Sequence, residues 1–282
     1  MKKKKVNIPF LISAFIFAGA LICFVWYMFS IHLEDSGFES LREKLIKTDE
    51  VREDKDGKEA EESLSYYLIN GTVVQEEFKD LYLENNDIMG WIKIDDTKLD
   101  YPVMITPEEP EYYIHKNFSG EYSFDGTPFA GAGTDYKGPD NNMIIYGHHL
   151  VNNMMFSTLD DYESEEFYKK HKYITFDTLI QTGTYEVIGA FRTQVYPTSY
   201  TGFVFYNHLD MSKDEFDDYV SNVKSLTPYK TSSSEYGDQL ITLSTCAYHT
   251  SNGRFVVVAK RIGGLEVDLD KEPIEVIKTE GE

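Results

Sequence analysis

Residues 239–261 read QLITLSTCAYHTSNGRFVVVAKR. Two strand-like runs, Leu240-Ile241-Thr242-Leu243 and Phe255-Val256-Val257-Val258-Ala259, flank a loop containing Ser251-Asn252-Gly253, which is the pattern of a β-hairpin. Working outward, Trp91-Ile92-Lys93-Ile94, 100–105, 143–146, 173–176 and 185–195 are further short runs of the same kind, bounded by polar turns such as Asp95-Asp96-Thr97. At least seven strand candidates in one stretch predict a mostly β barrel or sandwich. One helix interrupts them. Ser212-Lys213-Asp214-Glu215 is a capping-box sequence, and Phe216, Tyr219, Val220, Val223 and Leu226 follow on one face until Pro228 stops it. A flexible return over 231–234 leads into the strand at Gln239. Ahead of the strands, 64–69 and 76–85 read as short helices, the second with Phe78, Leu81 and Tyr82 at helical spacing.

The ends of the chain are not globular in composition. Four lysines among the first five residues precede 10–31, a run of 22 residues without a charge. As a helix that run would be about 33 Å long, matching a hydrocarbon core of about 30 Å. A cleaved signal peptide, with Ala18-Gly19-Ala20 as its small residues, is the rival reading, but the apolar run continues past it to Phe29. The expectation is a basic cytoplasmic N-terminus over 1–9, a single transmembrane anchor over 10–31, and an extracellular remainder. More than half of 32–62 is charged, predicting a solvated stalk or exposed helix. The catalytic domain is expected over 63–262 and a loosely ordered acidic tail over 263–282. With 48 Asp plus Glu against 27 Lys plus Arg and a net charge of −21, the chain is too acidic for a sequence-independent grip on nucleic acid. Its 41% apolar content excludes disorder.

The two cysteines, Cys23 in the apolar run and Cys246 far downstream, do not form a disulfide framework. Cys246 ends its strand, a place that suits a nucleophile; the bland alternative is a small buried hydrophobe. The hairpin would set Arg254 opposite it, where a rigid fork of N–H donors could hold a carbonyl or oxyanion, unless Arg254 is simply a surface arginine paired with one of many carboxylates. A thiol needs a base and a later proton donor. His148, after the apolar strand Met143-Ile144-Ile145-Tyr146 and then Gly147, is the candidate, with His149 beside it. His115, His171 and His208 read as solvated surface histidines. Cys246-x-x-His249 could be half a metal site, but no second Cys/His cluster matches it, so no metal is expected.

Tyr146-Gly147-His148 after an apolar strand, Thr242-Leu243-Ser244-Thr245-Cys246 downstream, and Arg254 eight residues on resemble the His, Cys and Arg motifs of sortases, class B in particular. The resemblance runs from about residue 64 to 262. It takes in Gly90-Trp91-Ile92, Asp100-Tyr101-Pro102-Val103, the N-terminal anchor, the helices ahead of the barrel and the long helix before the Cys strand. It implies a closed eight-stranded β-barrel and a membrane-anchored cysteine transpeptidase of the Gram-positive cell surface, needing no cofactor. Cys246 would attack the Thr carbonyl of a C-terminal sorting signal on a surface protein, His148 would act as acid and base, and Arg254 would steady substrate and oxyanion. A peptidoglycan-precursor amine would resolve the thioester. Tyr146 and Ser244 would contact substrate, and His149 would have no catalytic role. The chain departs from the family at Ala247, where several class B enzymes carry an acidic or hydroxyl-bearing residue, and at Phe129-Ala130-Gly131-Ala132, where a strand is expected. A cysteine peptidase and an anchored adhesin with a merely buried Cys246 are the other functional classes compatible with the residues.

Overall fold

The computed structural model describes residues 8–53, 63–138, 141–150, 153–247 and 250–279. The basic residues of 1–7, the stalk residues 54–62 and His249 lie outside the described residues. The chain divides into two compact units, Met1–Lys47 and Thr48–Glu282.

The first unit is helical. α1 (Ile8–Glu53) is one continuous helix of 46 residues, and here the expectation of a transmembrane helix over 10–31 is corrected. Among the described residues, no helix is long and apolar enough to cross a membrane. The apolar run is the first part of a longer element whose sequence from Glu34 onward is rich in Asp, Glu, Lys and Arg, whereas a spanning helix needs a sustained, predominantly apolar length.

The second unit contains β1 (Tyr66–Ile69), β2 (Thr72–Gln75), α2 (Lys79–Glu84), β3 (Ile88–Lys93), β4 (Asp100–Met104), β5 (Phe129–Ala130) and β6 (Asn142–Tyr146). It continues through α3 (Glu165–Lys170), β7 (Tyr173–Thr178), β8 (Thr184–Gln194), α4 (Lys213–Leu226), β9 (Leu240–Cys246), β10 (Gly253–Gly263) and β11 (Val276–Ile277). Eight strands close into a barrel in the order β10-β8-β7-β3-β4-β5-β6-β9. Most neighbours are antiparallel, but β4–β5 and β6–β9 are parallel. The strand expected after Gly126 is present as the two residues of β5, pairing with both β4 and β6.

Strand parity decides what the outer face carries. On β6, β9 and β10, Ile144, Leu240, Val256 and Val258 join one cluster with Phe216, Tyr219, Val220 and Val223 of α4. Their alternates Met143, Ile145, Ile241, Leu243 and Val257 are fully buried on the barrel side. α4 therefore lies on the outer face of these strands. Its start carries the expected capping box, with Ser212 N–H donating to Glu215 at 2.9 Å. Phe216 and Val223, each 0% exposed, contribute about 1.5–3 kcal/mol apiece by burial. The Tyr219 hydroxyl meets Thr242 Oγ1 at 2.7 Å, and the Thr242 hydroxyl donates to Asn142 Oδ1 at 2.9 Å. The helix is thus tied through a satisfied polar chain to both β9 and β6.

Three local expectations change. Residues 64–69 are not helical: β1 pairs with β2 around Asn70-Gly71, whose φ values of 48° and 84° form the turn an Asn-Gly pair favours. The acidic tail is ordered where β11 pairs in parallel with β1, because the backbone of β1 still offers bonds, with Leu68 N–H donating to Glu275 O and Asn70 N–H to Ile277 O at 3.0 Å each. His171 and His208 are less solvated than expected, the first buried and the second half-buried. His171 is buried with Nδ1 on the Asp95 carbonyl at 3.0 Å, and His208 packs against Phe203 and Tyr219.

Candidate active site

β9 and β10 are antiparallel neighbours, and their register sets Cys246 directly opposite Arg254, as the hairpin reading requires. β6 lies in parallel on the other side of β9, with Tyr146 opposite Ser244 and Gly147 N–H donating to Ser244 O at 3.1 Å. Three strand ends thus converge. Cys246, Ser244, Arg254 and Tyr146 share the parity of the α4-facing residues, so their side chains belong to the barrel's outer face just beyond the helix-covered patch. There a cleft of about 310 Å³ takes in all five expected residues, His148, Cys246, Arg254, Tyr146 and Ser244.

His148 Nε2 lies 2.6 Å from the Ile114 carbonyl. A carbonyl only accepts, so Nε2 carries the proton and Nδ1 holds the free lone pair of the neutral ring. Burial holds this imidazole below the ordinary histidine value, against an upward pull from the Ile114 carbonyl and with a further downward push from His115. Arg254 Nη1 donates to the Gly253 carbonyl at 2.9 Å, which anchors one edge of the guanidinium and leaves its other N–H groups for the cleft. Burial also pushes the Tyr146 hydroxyl up to about 12, tempered by Arg254, so that group stays a neutral donor. Ser244 Oγ and Thr245 Oγ1 are buried without a hydrogen-bond partner, and a bound polar group would satisfy them. His149 faces elsewhere: its Nε2 is 3.2 Å from Asp160 Oδ2, in the 3-10 segment Phe156–Glu163.

Gly147 is required by packing and not by its backbone dihedrals. Its φ is not positive; instead the Phe156 ring occupies the place of a side chain, and an added Cβ would lie 2.5 Å from Phe156 Cγ.

One wall of the cleft was missed from sequence. Pro110, Glu111, Ile114 and Thr127 line it, carried by a connection whose only regular piece is the 3-10 turn Tyr112–His115. That stretch has no strand or helix period; its His115 is exposed, as its sequence reading expects, and the contacts that matter to the cleft come from Glu111 and Ile114 beside it.

A closed barrel with thiol, imidazole and guanidinium at adjoining strand ends defines a thiol acyl-transfer enzyme, since these are a nucleophile, a proton carrier and an oxyanion donor in one cleft. The model of the sortase domain matches residues 92–262. Sortase B of Staphylococcus aureus is 33% identical over 193 residues, covering 67% of this chain and 76% of that protein. The structure of an S. aureus sortase B–substrate complex superposes with a TM-score of 0.66 at 28% identity, covering 83% of this chain and 98% of the other. Sortase B from B. anthracis gives 0.65 at 28% identity, with 83% and 99% covered. The chain belongs to the sortase family, in class B: it is a cysteine transpeptidase that anchors proteins to the cell wall.

Proposed function

We propose that the chain cleaves a C-terminal sorting signal after Thr and passes the protein to a peptidoglycan-precursor amine through a thioester on Cys246. The observation that carries this reading is the register: Arg254 opposite Cys246 on one side and, parallel on the other, β6, whose end leads into His148. In the first half-reaction the Cys246 thiol gives its proton to His148 Nδ1 as Sγ bonds to the Thr carbonyl carbon. Arg254 donates to the oxyanion that develops. The amide C–N bond then breaks, and the imidazolium returns the proton to the departing amine. In the second half an acceptor amine attacks the thioester, losing a proton to His148. A new amide bond forms, the C–S bond breaks, and the thiolate is reprotonated. Tyr146 and Ser244 contact the bound signal peptide. The steps use this chain's own residues throughout. Since its substrates are surface proteins and its acceptor is a cell-wall precursor, the catalytic unit works on the extracellular side.

The test is product analysis of a fluorogenic sorting peptide incubated with the full chain, with and without an added amine. Transpeptidation predicts a ligated product at the Thr carbonyl and a Cys246 acyl-enzyme by mass spectrometry. An amine that changes neither rate nor products would show a hydrolase instead.

A further inference from the structure

An acid–base histidine needs its ring fixed by a third group, and among the described residues no carboxylate is bonded to His148. The same short turn touches it twice. Ile114 supplies the carbonyl at 2.6 Å, and the next residue, His115, lays its imidazole on the His148 ring with centroids 5.4 Å and planes 19° apart. We propose that His115 is a positioning residue for His148: the Tyr112–His115 turn holds the catalytic ring along two perpendicular directions, the carbonyl in its plane and the stacked imidazole across its face, so that Nδ1 is presented to the reacting atoms. This rests on the transpeptidase reading of the cleft.

An imidazole has two soft side-chain torsions. A hydrogen bond in the ring plane fixes its in-plane direction but leaves tilt free, and a stacked neighbour removes the tilt. The turn is rigid enough for the task. Thr127 N–H donates to Tyr113 O and Ser123 N–H to His115 O, both at 3.1 Å. The Tyr113 hydroxyl donates to Asp87 at 2.8 Å and accepts from Asn85 Nδ2 at 2.7 Å. Gly126, at φ 63°, brings its backbone against Ile114 O where any side chain would clash at 2.4 Å. His115 also packs against Tyr122, at 6.4 Å between ring centroids. Beyond its packing, a charged His115 opposes a proton on His148. The other titratable or charged groups of the cleft are Glu111, Tyr146, Tyr206, Cys246 and Arg254, all unchanged by a substitution at 115.

The experiment compares His115→Ala and His115→Phe with the wild-type chain in two measurements: kcat and KM for the sorting peptide between about pH 5.5 and 9, and NMR titration of the His148 imidazole. His115→Ala should lower kcat roughly 10-fold with KM within about twofold, the signature of lost orientation rather than lost binding. His115→Phe keeps a flat ring and should recover most of that loss. Both variants should raise the His148 midpoint, since both remove the like charge. Wild-type kcat in His115→Ala, or a Phe variant no better than the Ala variant, would overturn the proposal, as would an unmoved midpoint. The NMR titration needs no turnover, so a wild-type chain that fails to form a thioester while its midpoint still responds would count against the transpeptidase reading alone.

Discussion

Replacing Gly147 by alanine tests how the imidazole is held in register with the thiol. The backbone there is not in the left-handed region, so alanine is conformationally allowed and the penalty arises from contact. The new Cβ would lie 2.5, 2.8 and 2.9 Å from three carbons of the Phe156 ring. Carbon atoms rest at about 3.5–4.0 Å, so ring and strand end must part by about 1 Å. Phe156 is 0% exposed and close-packed, so the ring has nowhere to go. The mobile partner is the stretch after β6, tied to β9 at this point by the bond from Gly147 N–H to Ser244 O. Overpacking of this kind costs about 1–3 kcal/mol of stability. Carrying His148 along by about 1 Å should cost roughly 10²-fold in kcat. Urea denaturation and peptide kinetics on Gly147→Ala, Phe156→Leu and the double variant form a cycle. The slimmer leucine should return part of both losses in the double variant, a coupling opposite in sign to the single effects. Gly147→Ala with wild-type kcat would refute the reasoning, because it would mean that the Phe156 contact does not set the position of His148.

Other outcomes follow from the same geometry. His148→Ala should lower kcat by about 10²–10⁴ as an acid–base group is lost, whereas His149→Ala should change it little because His149 faces Asp160; equal losses would reverse the assignment. Arg254→Lys should lose roughly 10²–10³ in kcat, the scale of one oxyanion donor, while the pH profile of iodoacetamide labelling of Cys246 stays put; a labelling profile that moves with activity would show that Arg254 acts through the thiol. Stability should also depend on pH. His148 and His208 are both held below the ordinary histidine value by burial, so below about pH 6.5 the unfolded chain binds more protons than the folded one. Tm should therefore be level above that pH and fall as pH drops from about 6.5 through the lowered folded values, and a Tm rising on mild acidification would contradict that sign.

The catalytic strands are legible because their signals are local: short apolar runs bounded by turn residues. The run 240–246, the Asn252-Gly253 turn and the run 255–261 state both the hairpin and the Cys246–Arg254 pairing without help from the rest of the chain. The capping box at Ser212 and the apolar stripe of α4 are equally local. The missed features depend on partners far away in sequence. β11 is two residues long, and only the free backbone of β1, some 200 residues earlier, makes it a strand. Asn70-Gly71 is a local hairpin signal in its own right, and it outweighs the apolar spacing of 64–69 that suggests a helix. His171 is polar by type yet buried because the Asp95 carbonyl awaits it. The wall carrying Ile114 has no period at all, so neither its contact with His148 nor the stack of His115 could be read from spacing. At the N-terminus, the charge-free window of 10–31 looks like an element by itself in the sequence, whereas α1 runs on into charged sequence.

Ala247, the site residue that departs most plainly from the family pattern, finds its explanation in strand parity. Cys246 belongs to the outward set with Leu240, Thr242 and Ser244, so the next residue turns inward, and Ala247 is 2% exposed. Its backbone N–H donates to Gly253 O at 3.0 Å, closing the hairpin one step beyond the Cys246–Arg254 pair. Any residue except proline could supply that bond. An acidic side chain in the same place would have to bury its charge or rotate the strand end, and either would disturb the thiol. In this chain, then, position 247 serves the site through its backbone, holding Cys246 and Arg254 opposite each other, while Ser244 and Tyr146 are the neighbouring groups that face the cleft.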